Sequence, residues 1–557
     1  MSTTPFSILH RTEHLKALST EHFDLVIIGG GVTGAGIALD AASRGLKTCL
    51  VEKNDFASGT SNKSTKLIHG GLRYLKQLEI GLVRESGQER AIVHQLAPHL
   101  VIPEKMLLPL VKDGTYGTMM TSIGLRVYDF LANVTDDDRR KMLDKEATLL
   151  QEPLLDHDTT LGSGYYSEYR TDDARLTIEL LKKAAEFGAT IINYCEMEQF
   201  IYDDNHKITH IACCDHNTGN TFTIASNNFV SATGPWVDIL REKNASKNNK
   251  YLHLTKGVHV VFPFEKLPLQ QSVYFDVPDG RMIFAIPRGQ STYVGTTDTD
   301  YFGNLERVVT TKADVKYLLD AVNATFPDIH LEETDISSSW AGLRPLIHEE
   351  DKDPSELSRK DELFISDSGL ISIAGGKLTG YRKMAQRTID AVLKTMTSKD
   401  RDALKTSFTE TIALTSDAMT STKDVQAYEK QLALQLKTLG IETPYFAWYL
   451  TSTYGKQTDI ILDHMQSFTN KNPELRLIRA ELWYGIHYEM VNSLVDFFVR
   501  RTGRLFFDIA SITTFKNSIA KDCAKYLNWD LERMTKELDT LALLVTDATH
   551  FYDTELP

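Results

Sequence analysis

The 557-residue sequence contains no apolar run long enough to cross a membrane, which takes about 18 residues or more. Its first residues also lack an apolar core of signal-peptide length. Basic residues are in deficit, since 61 Lys and Arg stand against 75 Asp and Glu and the formal charge is −14. This balance disfavours nucleic acid as the main partner, because a phosphate backbone requires a basic surface. We therefore expect a cytoplasmic protein without a spanning segment, and peripheral membrane contact stays open.

Cysteine is also scarce. The five cysteines include one adjacent pair, Cys213-Cys214, and show no CxxC or other metal-ligand spacing. An odd number of irregularly spaced cysteines is typical of reduced thiols in the cytoplasm. The sequence therefore predicts neither a disulfide framework nor a metal site.

A glycine-rich turn near the N-terminus organises the chain. The apolar run Leu25–Ile28 predicts a buried parallel strand, and Gly29-x-Gly31-x-x-Gly34 follows it directly. A helix is predicted over about 33–44. This order is that of a dinucleotide-binding βαβ unit, in which the glycines permit a tight turn, close approach of a pyrophosphate and close helix–strand packing. The helix N-terminus offers free N–H groups to the phosphates.

The unit ends in an acidic residue. A second strand is predicted over 47–51, and Glu52 follows it in the position where a carboxylate accepts hydrogen bonds from ribose hydroxyls. An acid at this place favours FAD or NAD over NADP, whose 2′-phosphate would be repelled.

The loop after Glu52, residues 53–75, is rich in Gly, Ser and Thr. It lies past the carboxyl end of a parallel strand, where loops bind ligands. Its Lys66, His69 and Arg73 are predicted to supply positive potential there.

Six segments of the sequence resemble, in the same order, the FAD-dependent (aerobic) glycerol-3-phosphate dehydrogenases. They are STKLIHGGLRYL at 64–75, ATGPW at 232–236, TKGVH at 255–259, VGTTD at 294–298, WAGLRPL at 340–346 and GGKLTGYR at 375–382. The helical tail, with Glu489 and Arg500-Arg501-Thr502, also resembles the C-terminal domain of that family.

The resemblance implies FAD as cofactor and assigns the residues that hold it and the substrate. The cofactor-binding residues would be Gly29, Gly31, Thr33, Gly34, Glu52, Lys53, Thr60, Ser61, Ser64, Leu67, His69, Gly70, Gly71, Gly234, Gly376, Lys377, Leu378 and Thr379. The substrate-binding residues would be Arg73, Tyr74, Arg344, Arg359 and Lys377. Planar arginine forks with a lysine point charge suit a phosphate dianion.

Oxidation of a secondary alcohol requires loss of the hydroxyl proton and hydride transfer to the flavin. A neutral histidine suits the first task because its pKa lies near working pH. His69 and His259 are the candidates, and the resemblance favours His259 as the base with Arg344 stabilising the developing alkoxide. The choice between the two histidines stays open, as does covalent or non-covalent attachment of FAD.

The predicted fold class is α/β, with a doubly wound FAD-binding domain, an inserted antiparallel substrate domain and a helical C-terminal domain. Helical spacing over 475–501 and 517–546 and a polar linker over 396–424 mark the last of these. The predicted boundaries are 1–75, 151–240 and 341–396 for the FAD domain, 76–150 for substrate-side helices, 241–340 for the antiparallel domain and 397–557 for the helical domain.

The resemblance implies oxidation of sn-glycerol 3-phosphate to dihydroxyacetone phosphate, with the electrons passed to membrane quinone from the cytoplasmic face. Two stretches are candidates for peripheral membrane contact, the apolar 119–131 and the basic 241–256. A homodimer is one candidate assembly. The alternatives are a glycerol-3-phosphate oxidase that uses dioxygen, a related amine or amino-acid oxidase, and a non-catalytic FAD-binding protein.

Overall fold

The structure is a computed structural model that describes residues 5–68, 80–112, 140–349, 360–415 and 419–557. Several predictions fall outside these described residues. They concern the candidate residues His69, Gly70, Gly71, Arg73, Tyr74 and Arg359 and the apolar stretch 119–131. These assignments stay predictions.

The described strands form three sheets. In chain order they are β1 His22–Phe23, β2 Leu25–Ile28, β3 Thr48–Val51, β4 Leu67–Ile68, β5 Ile102–Val111, β6 Lys141–Asp144, β7 Thr160–Arg170, β8 Thr190–Ile192, β9 Cys195–Tyr202, β10 Ile208–Asp215, β11 Thr221–Ser226, β12 Phe229–Ser231, β13 Lys250–Pro263, β14 Ser272–Asp276, β15 Met282–Arg288, β16 Ser291–Gly295, β17 Thr299–Asp300, β18 Ser338–Glu349, β19 Asp361–Ile365 and β20 Leu370–Gly375.

The described α-helices cover the parallel sheet and build the C-terminal region. In chain order they are α1 Arg11–Thr20, α2 Val32–Arg44, α3 Ile80–Leu96, α4 Lys145–Gln151, α5 Asp173–Glu186, α6 Val237–Lys243, α7 Lys312–Thr325, α8 Tyr381–Thr395, α9 Ser398–Asp402, α10 Thr422–Thr438, α11 Tyr445–Tyr454, α12 Thr458–Met465, α13 Pro473–Tyr488, α14 Arg504–Phe507, α15 Ile509–Leu527 and α16 Leu531–Thr549.

The parallel sheet is built around β2. Its strand order is β19, β20, β12, β2, β3, β8, and all neighbours pair in parallel except the edge strand β19. Every residue of β2 and β3 is buried, as expected of strands covered on both faces. Helix α2 packs between α5 and α8 and ends where Gly45 adopts a φ of 106°. The predicted strand–glycine–helix–strand unit is confirmed.

A smaller sheet contains a β-hairpin. Its strand order is β1, β11, β10, β9, and β10 pairs with β11 in antiparallel fashion from His210–Ala225 to Cys214–Thr221. Gly219, at the turn, has a φ of 73°, a left-handed conformation that favours glycine.

The largest sheet is antiparallel except where β5 pairs in parallel with β14, and its predicted extent was wrong. Its order is β17, β13, β16, β15, β14, β5, β7, β4, with β18 on β13 and β6 on β7. We predicted that it lies within 241–340 and that 76–150 is helical. Strands β5 and β7 belong to it, however, and pair with each other along most of their length. Their membership depends on partners distant in sequence, which local periodicity does not contain.

The C-terminal region is helical, as predicted, but two helices are divided. The predicted helix over 475–501 ends at Tyr488, and Met490 has a φ of 56°. The predicted helix over 517–546 is interrupted at Asn528, which has a φ of 54°. The predicted linker over 396–424 is not a free connection, because Ile412 and Leu414 are buried in the main hydrophobic core.

The basic stretch 241–256 does not present a free cationic face. Arg241 and Lys256 are almost fully buried. Arg241 pairs with Asp238, and Lys256 pairs with Asp314 and Glu555. The other cations of the stretch also contact acceptors of the protein: Lys243 contacts the carbonyl of Glu198, Lys247 contacts Glu242 and Lys250 contacts Glu362. Among the described helices, none has the length and apolar character to span a bilayer.

Candidate active site

The glycine turn after β2 brings backbone segments closer together than side chains would allow. Gly29 has a φ of 111°, and a Cβ there would lie 2.6 Å from the carbonyl oxygen of Ala232 on the neighbouring β12 segment. A Cβ on Gly34 would lie 1.9 Å from the carbonyl oxygen of Gly29. The first turn of α2 therefore seats directly on the end of β2, which leaves its N–H groups at the mouth of the sheet.

Glu52 holds the same turn from the end of β3. One carboxylate oxygen accepts a hydrogen bond from the backbone N–H of Gly30 at 2.7 Å, and the other accepts one from Asn54 at 2.8 Å. Burial raises the pKa of Glu52, while these two N–H donors act in the opposite direction. Because a carboxylate oxygen has a second lone pair, the group can also accept from a ribose hydroxyl.

A cavity of about 340 Å³, here called the cofactor groove, runs along this turn. The predicted cofactor residues that line it are Gly29, Gly31, Thr33, Glu52, Lys53, Thr60, Ser61, Gly234, Gly376, Lys377 and Leu378. Gly34 does not line it and acts through packing alone. The groove combines bare backbone, a helix N-terminus and a carboxylate, which are the groups that an adenine dinucleotide requires.

Three polar side chains of the groove are already engaged within the protein. The Ser61 hydroxyl accepts a hydrogen bond from Val32 N–H at 2.9 Å, and Thr60 donates to the carbonyl of Leu343 at 2.8 Å. The Lys53 ammonium contacts Glu306 and lies 4.5 Å from the centre of the Trp236 ring. These contacts fix the loop after β3 against the antiparallel sheet.

A second cavity of about 210 Å³, here called the substrate cavity, adjoins the groove. Among the predicted residues it gathers Ser64, Leu67, His259, Arg344, Lys377, Leu378 and Thr379. Gly376 and Lys377 line both cavities, so the two cavities meet at these residues.

Strand register explains why His259 and Arg344 meet. In the antiparallel pair of β13 and β18, His259 lies opposite Trp340 and Thr255 lies opposite Arg344. Side chains of alternate residues share a face, so His259 and Arg344 point to the same side of the sheet. Gly257 and Gly342 face each other between them, and a Cβ on Gly257 would lie 2.2 Å from the Arg344 guanidinium. The paired glycines leave the hollow that these side chains occupy.

His259 is a neutral imidazole at physiological pH. It is 1% exposed, and its ring stacks on Trp340 at a centroid distance of 4.7 Å. Burial lowers its pKa well below the usual value, and the charges of Arg344 and Lys66 act in the same direction. Nε2 is 3.0 Å from the Thr65 hydroxyl, and Nδ1 has no hydrogen-bond partner among the described residues. A neutral ring with one uncommitted nitrogen can accept a proton.

Arg344 is positioned by three groups of one turn. It forms a 3.2 Å ion pair with Asp298, and its guanidinium donates to the Thr296 hydroxyl at 2.9 Å and to the carbonyl of Thr297 at 3.1 Å. These contacts hold the positive charge beside the hollow. The motif VGTTD, which contains all three residues, was noted in the sequence, but no role could be assigned to it there.

Lys66 does not supply free positive charge, contrary to the prediction. It is 1% exposed and pairs with the buried Asp173 at 2.6 Å. Asp173 is the first residue of α5, whose sequence contains no sign of this partner. Because the ion pair is internal, Lys66 fixes the loop to α5 and its ammonium is engaged with Asp173 instead of being free for a ligand.

Asp55, which the sequence did not single out, ties the loop after Glu52 to the C-terminal region. Arg501 donates to its two carboxylate oxygens at 2.7 and 2.9 Å, and Arg500 also pairs with it. Burial of Asp55 opposes ionisation, yet the two guanidinium groups lower its pKa to about 2. The resemblance included Arg500-Arg501 but gave them no partner.

Comparisons with known proteins agree with this site. Residues 24–382 match the model of the FAD dependent oxidoreductase family, and residues 410–534 match that of the C-terminal domain of alpha-glycerophosphate oxidase. The aerobic glycerol-3-phosphate dehydrogenase of Bacillus subtilis is 48% identical over 98% of this chain and 99% of its own length. That of Staphylococcus aureus is 48% identical over 97% of both chains.

Solved structures give the same result. The glycerol-3-phosphate dehydrogenase of Bacillus halodurans, complexed with FAD, covers 98% of both chains with a TM-score of 0.82 and 41% identity. The L-alpha-glycerophosphate oxidase of Mycoplasma pneumoniae covers 70% of this chain with a TM-score of 0.54 and 20% identity, which shows a shared fold. The predicted fold class and the predicted FAD cofactor are confirmed, and the chain belongs to the FAD-dependent aerobic glycerol-3-phosphate dehydrogenase family.

Proposed function

We propose that this chain oxidises sn-glycerol 3-phosphate to dihydroxyacetone phosphate with bound FAD and passes the electrons to a membrane quinone. The observation that carries the proposal is a neutral, buried histidine in one cavity with the cations Arg344 and Lys377 and with Lys63, directly beside the cofactor groove. Oxidation of a secondary alcohol needs a base for the hydroxyl proton and an acceptor for the hydride of the same carbon. FAD, when bound, supplies that hydride acceptor.

The groove residues would hold the cofactor in separate parts. Glu52 would accept hydrogen bonds from ribose hydroxyls, and the backbone at Gly31 would face the pyrophosphate at the N-terminus of α2. Gly376, Leu378 and Thr379, where the groove adjoins the substrate cavity, would lie at the flavin.

His259 would take the proton from the substrate hydroxyl. The nitrogen that is not hydrogen-bonded to Thr65 is the candidate acceptor atom. Arg344 would stabilise the negative charge that develops on the oxygen as the proton leaves, because its guanidinium is held in place before the substrate arrives. His69, the other candidate base, is outside the described residues.

The substrate phosphate would be bound by cations at the mouth of the substrate cavity. Among these predicted cations, the position of Lys377 supports a role in phosphate binding, since it lines both cavities. Arg73, Tyr74 and Arg359 would complete the pocket. A phosphate bound in this way is a remote handle that positions the reacting carbon.

Peripheral contact with the inner face of the cytoplasmic membrane would bring the protein to its quinone. The apolar stretch 119–131 is the candidate contact, since the cations of 241–256 are engaged within the protein. A homodimer stays a candidate assembly.

An oxidase reaction is the second candidate, and the match of the C-terminal region to an alpha-glycerophosphate oxidase domain favours it. The two reactions share the reductive step and differ in the acceptor. Hydrogen peroxide formed in proportion to substrate oxidised in air would identify the oxidase.

The test of the proposal is anaerobic mixing of the yellow holoenzyme with sn-glycerol 3-phosphate, its sn-1 isomer and glycerol. We expect rapid bleaching of the flavin by the first compound and slow bleaching by the other two. Dihydroxyacetone phosphate should form in equal amount. Absence of bleaching with every polyol phosphate would contradict the substrate, and rapid bleaching by glycerol would contradict a phosphate pocket.

A further inference from the structure

A third cavity, here called the back cavity, lies between the loop after β3, strand β18 and the C-terminal helices. Its volume is about 490 Å³, larger than that of the cofactor groove. Trp340, Leu343 and Phe506 contribute apolar walls, and Leu544 of α16 closes the far side. Nothing in the reaction with glycerol 3-phosphate uses this space.

The back cavity adjoins both parts of the active site. It shares Ser58, Thr60 and Trp236 with the cofactor groove. It shares Thr60, Lys63 and Leu343 with the substrate cavity. A molecule in the back cavity would therefore reach the cofactor across the turn Thr60–Lys63, from a direction that the substrate does not occupy.

The charged groups around this cavity are nearly all neutralised. Arg307 pairs with Asp547 at 2.7 Å, and Arg533 pairs with Glu537 at 2.7 Å. Arg500 is engaged with Asp55. Glu306, which also lines the cavity, pairs with Lys53, so each of these charged groups has an ion-pair partner within the protein.

Lys63 is the exception. Its ammonium has neither a hydrogen-bond partner nor an ion-pair partner among the described residues, although it lines both cavities. Desolvation lowers the pKa of Lys63 to about 8, and the nearby charge of Arg500 acts in the same direction. An unpartnered ammonium in a desolvated site favours a ligand that brings an oxygen acceptor.

We propose that the back cavity binds the electron acceptor, a flat ring of the quinone class, and that Lys63 donates a hydrogen bond and then a proton to one of its carbonyl oxygens. The inference rests on the proposed function. Flat apolar walls suit the ring, and the cation suits an oxygen that becomes more negative on reduction. Separate cavities for substrate and acceptor would let one enter before the other leaves.

The electrons and protons needed to reduce the quinone are supplied by the reduced cofactor and by Lys63. Reduction of a quinone to a quinol adds two electrons and two protons. Two electrons and one proton come from the cofactor reduced by the substrate, and the second proton comes from the Lys63 ammonium. Lys63 regains a proton from water, which is feasible near neutral pH for a group with a pKa of about 8.

Filling the back cavity from its far wall is the first test. Leu544→Trp places a bulky ring inside the cavity. The matched control is Leu543→Trp, because Leu543 is the adjacent residue of α16, is 44% exposed and does not line the cavity. With the holoenzyme, we expect Leu544→Trp to weaken the binding of menadione, measured by equilibrium dialysis, at least tenfold. Reoxidation of the reduced flavin by menadione should slow to a similar extent. Leu543→Trp should behave like the wild type.

Three outcomes separate the hypotheses. Undiminished menadione binding by Leu544→Trp would overturn the assignment of the cavity. Normal menadione binding by the wild type together with no bleaching by glycerol 3-phosphate would instead contradict the proposed function and leave the cavity assignment standing. Loss of bleaching by Leu544→Trp but not by Leu543→Trp would show that the cavity serves the substrate, which also overturns the inference.

The role of Lys63 has its own test, which does not depend on filling the cavity. The rate of menadione reduction by the wild type should fall as pH rises through about 8, because the ammonium is lost. Lys63→Arg, which keeps its proton, should remove this alkaline fall, and Lys63→Met should be slow at all pH values while menadione still binds. If Lys63→Met kept the rate and the pH dependence of menadione reduction seen in the wild type, the lysine would be excluded as the proton donor.

Discussion

The cofactor groove and the substrate cavity adjoin each other, yet they are built in different ways. The groove uses backbone atoms, bare glycines and one carboxylate, and its central elements come from the continuous segment that includes Gly29, Gly34 and Glu52. The substrate cavity uses side chains from separate strands, of which His259 and Arg344 are brought together by the register of β13 and β18. We therefore expect a larger side chain in the cofactor groove to disrupt folding and cofactor binding. We expect a substitution in the substrate cavity to lower the reaction rate while the fold is kept.

From this difference we expect the largest effect when a side chain is added at a glycine beside the cofactor groove. Gly34→Val should abolish FAD binding and yield colourless, less stable protein, because its side chain would collide with the carbonyl of Gly29. The flavin spectrum and thermal unfolding check this. Gly81→Ala in α3 is the matched control, since its Cβ would meet open space, and it should bind FAD normally. Full flavin occupancy in Gly34→Val would contradict the close-packing argument.

The substrate cavity should show the opposite behaviour. His259→Asn is expected to retain FAD and fold normally but to lower kcat by about 10²- to 10⁴-fold, the usual contribution of a general base. Single-turnover bleaching of the flavin by glycerol 3-phosphate measures the step directly. A variant that bleaches at the wild-type rate would transfer the role of base to His69 or to another group.

The next effect concerns Lys377, which lines both the groove and the substrate cavity. Lys377→Met should lower kcat/KM for glycerol 3-phosphate by about ten- to a hundredfold, the cost of one charge-assisted hydrogen bond, and should change turnover of glycerol little. Lys383→Met is the control, because Lys383 bonds Gln386 within α8. Equal losses with both substrates would place Lys377 at the cofactor instead of the phosphate.

A smaller effect is expected from the partner of the histidine. Thr65→Val removes the hydroxyl 3.0 Å from Nε2 of His259 and keeps the shape of the side chain. Loss of one neutral hydrogen bond, about 0.5–1.5 kcal/mol, should lower kcat by roughly two- to tenfold. Steady-state kinetics with an artificial acceptor checks this, and a Thr65→Ser variant should restore the rate. A change beyond a hundredfold would mean that the hydroxyl itself takes part in proton transfer.

The smallest effect is on pH dependence. Because the pKa of His259 is lowered, the imidazole stays neutral, and active as a base, until the pH falls well below 6.5. The rate of flavin reduction should therefore be level through neutrality and fall only in more acidic solution. Arg344→Gln removes one cause of the lowered pKa, so its acid limb should move toward higher pH even though the variant is slower. An acid limb that moves to lower pH would contradict the electrostatic account.

These contrasts also explain what could be predicted from the sequence. The turn at Gly29 and the helix after it were predictable because every determinant lies within one segment. The approach of Arg344 to His259 followed from the resemblance alone, since the register that creates it involves two strands far apart. Strand β5 was missed for the same reason, as its partners β7 and β14 are distant.

Charge was harder to predict than position. Lys66 lies in a loop predicted to be positive, but the burial of Asp173 beside it could not be known from either local sequence. Lys63, three residues earlier, was not singled out in the sequence, and its lack of a partner among the described residues is a property of the folded chain. In both cases the sequence gives the residue type and the tertiary structure decides whether its charge is available.

The contact of Asp55 with Arg500 and Arg501 has a consequence for biosynthesis. During translation the glycine turn leaves the ribosome long before the two arginines that hold the adjoining loop, which lie more than 440 positions downstream. Until they arrive, Asp55 lacks its two guanidinium partners and the loop that frames the groove lacks its contact with the C-terminal region. We therefore expect stable insertion of the flavin to come late in synthesis, and a product that ends before the arginines to retain the flavin poorly.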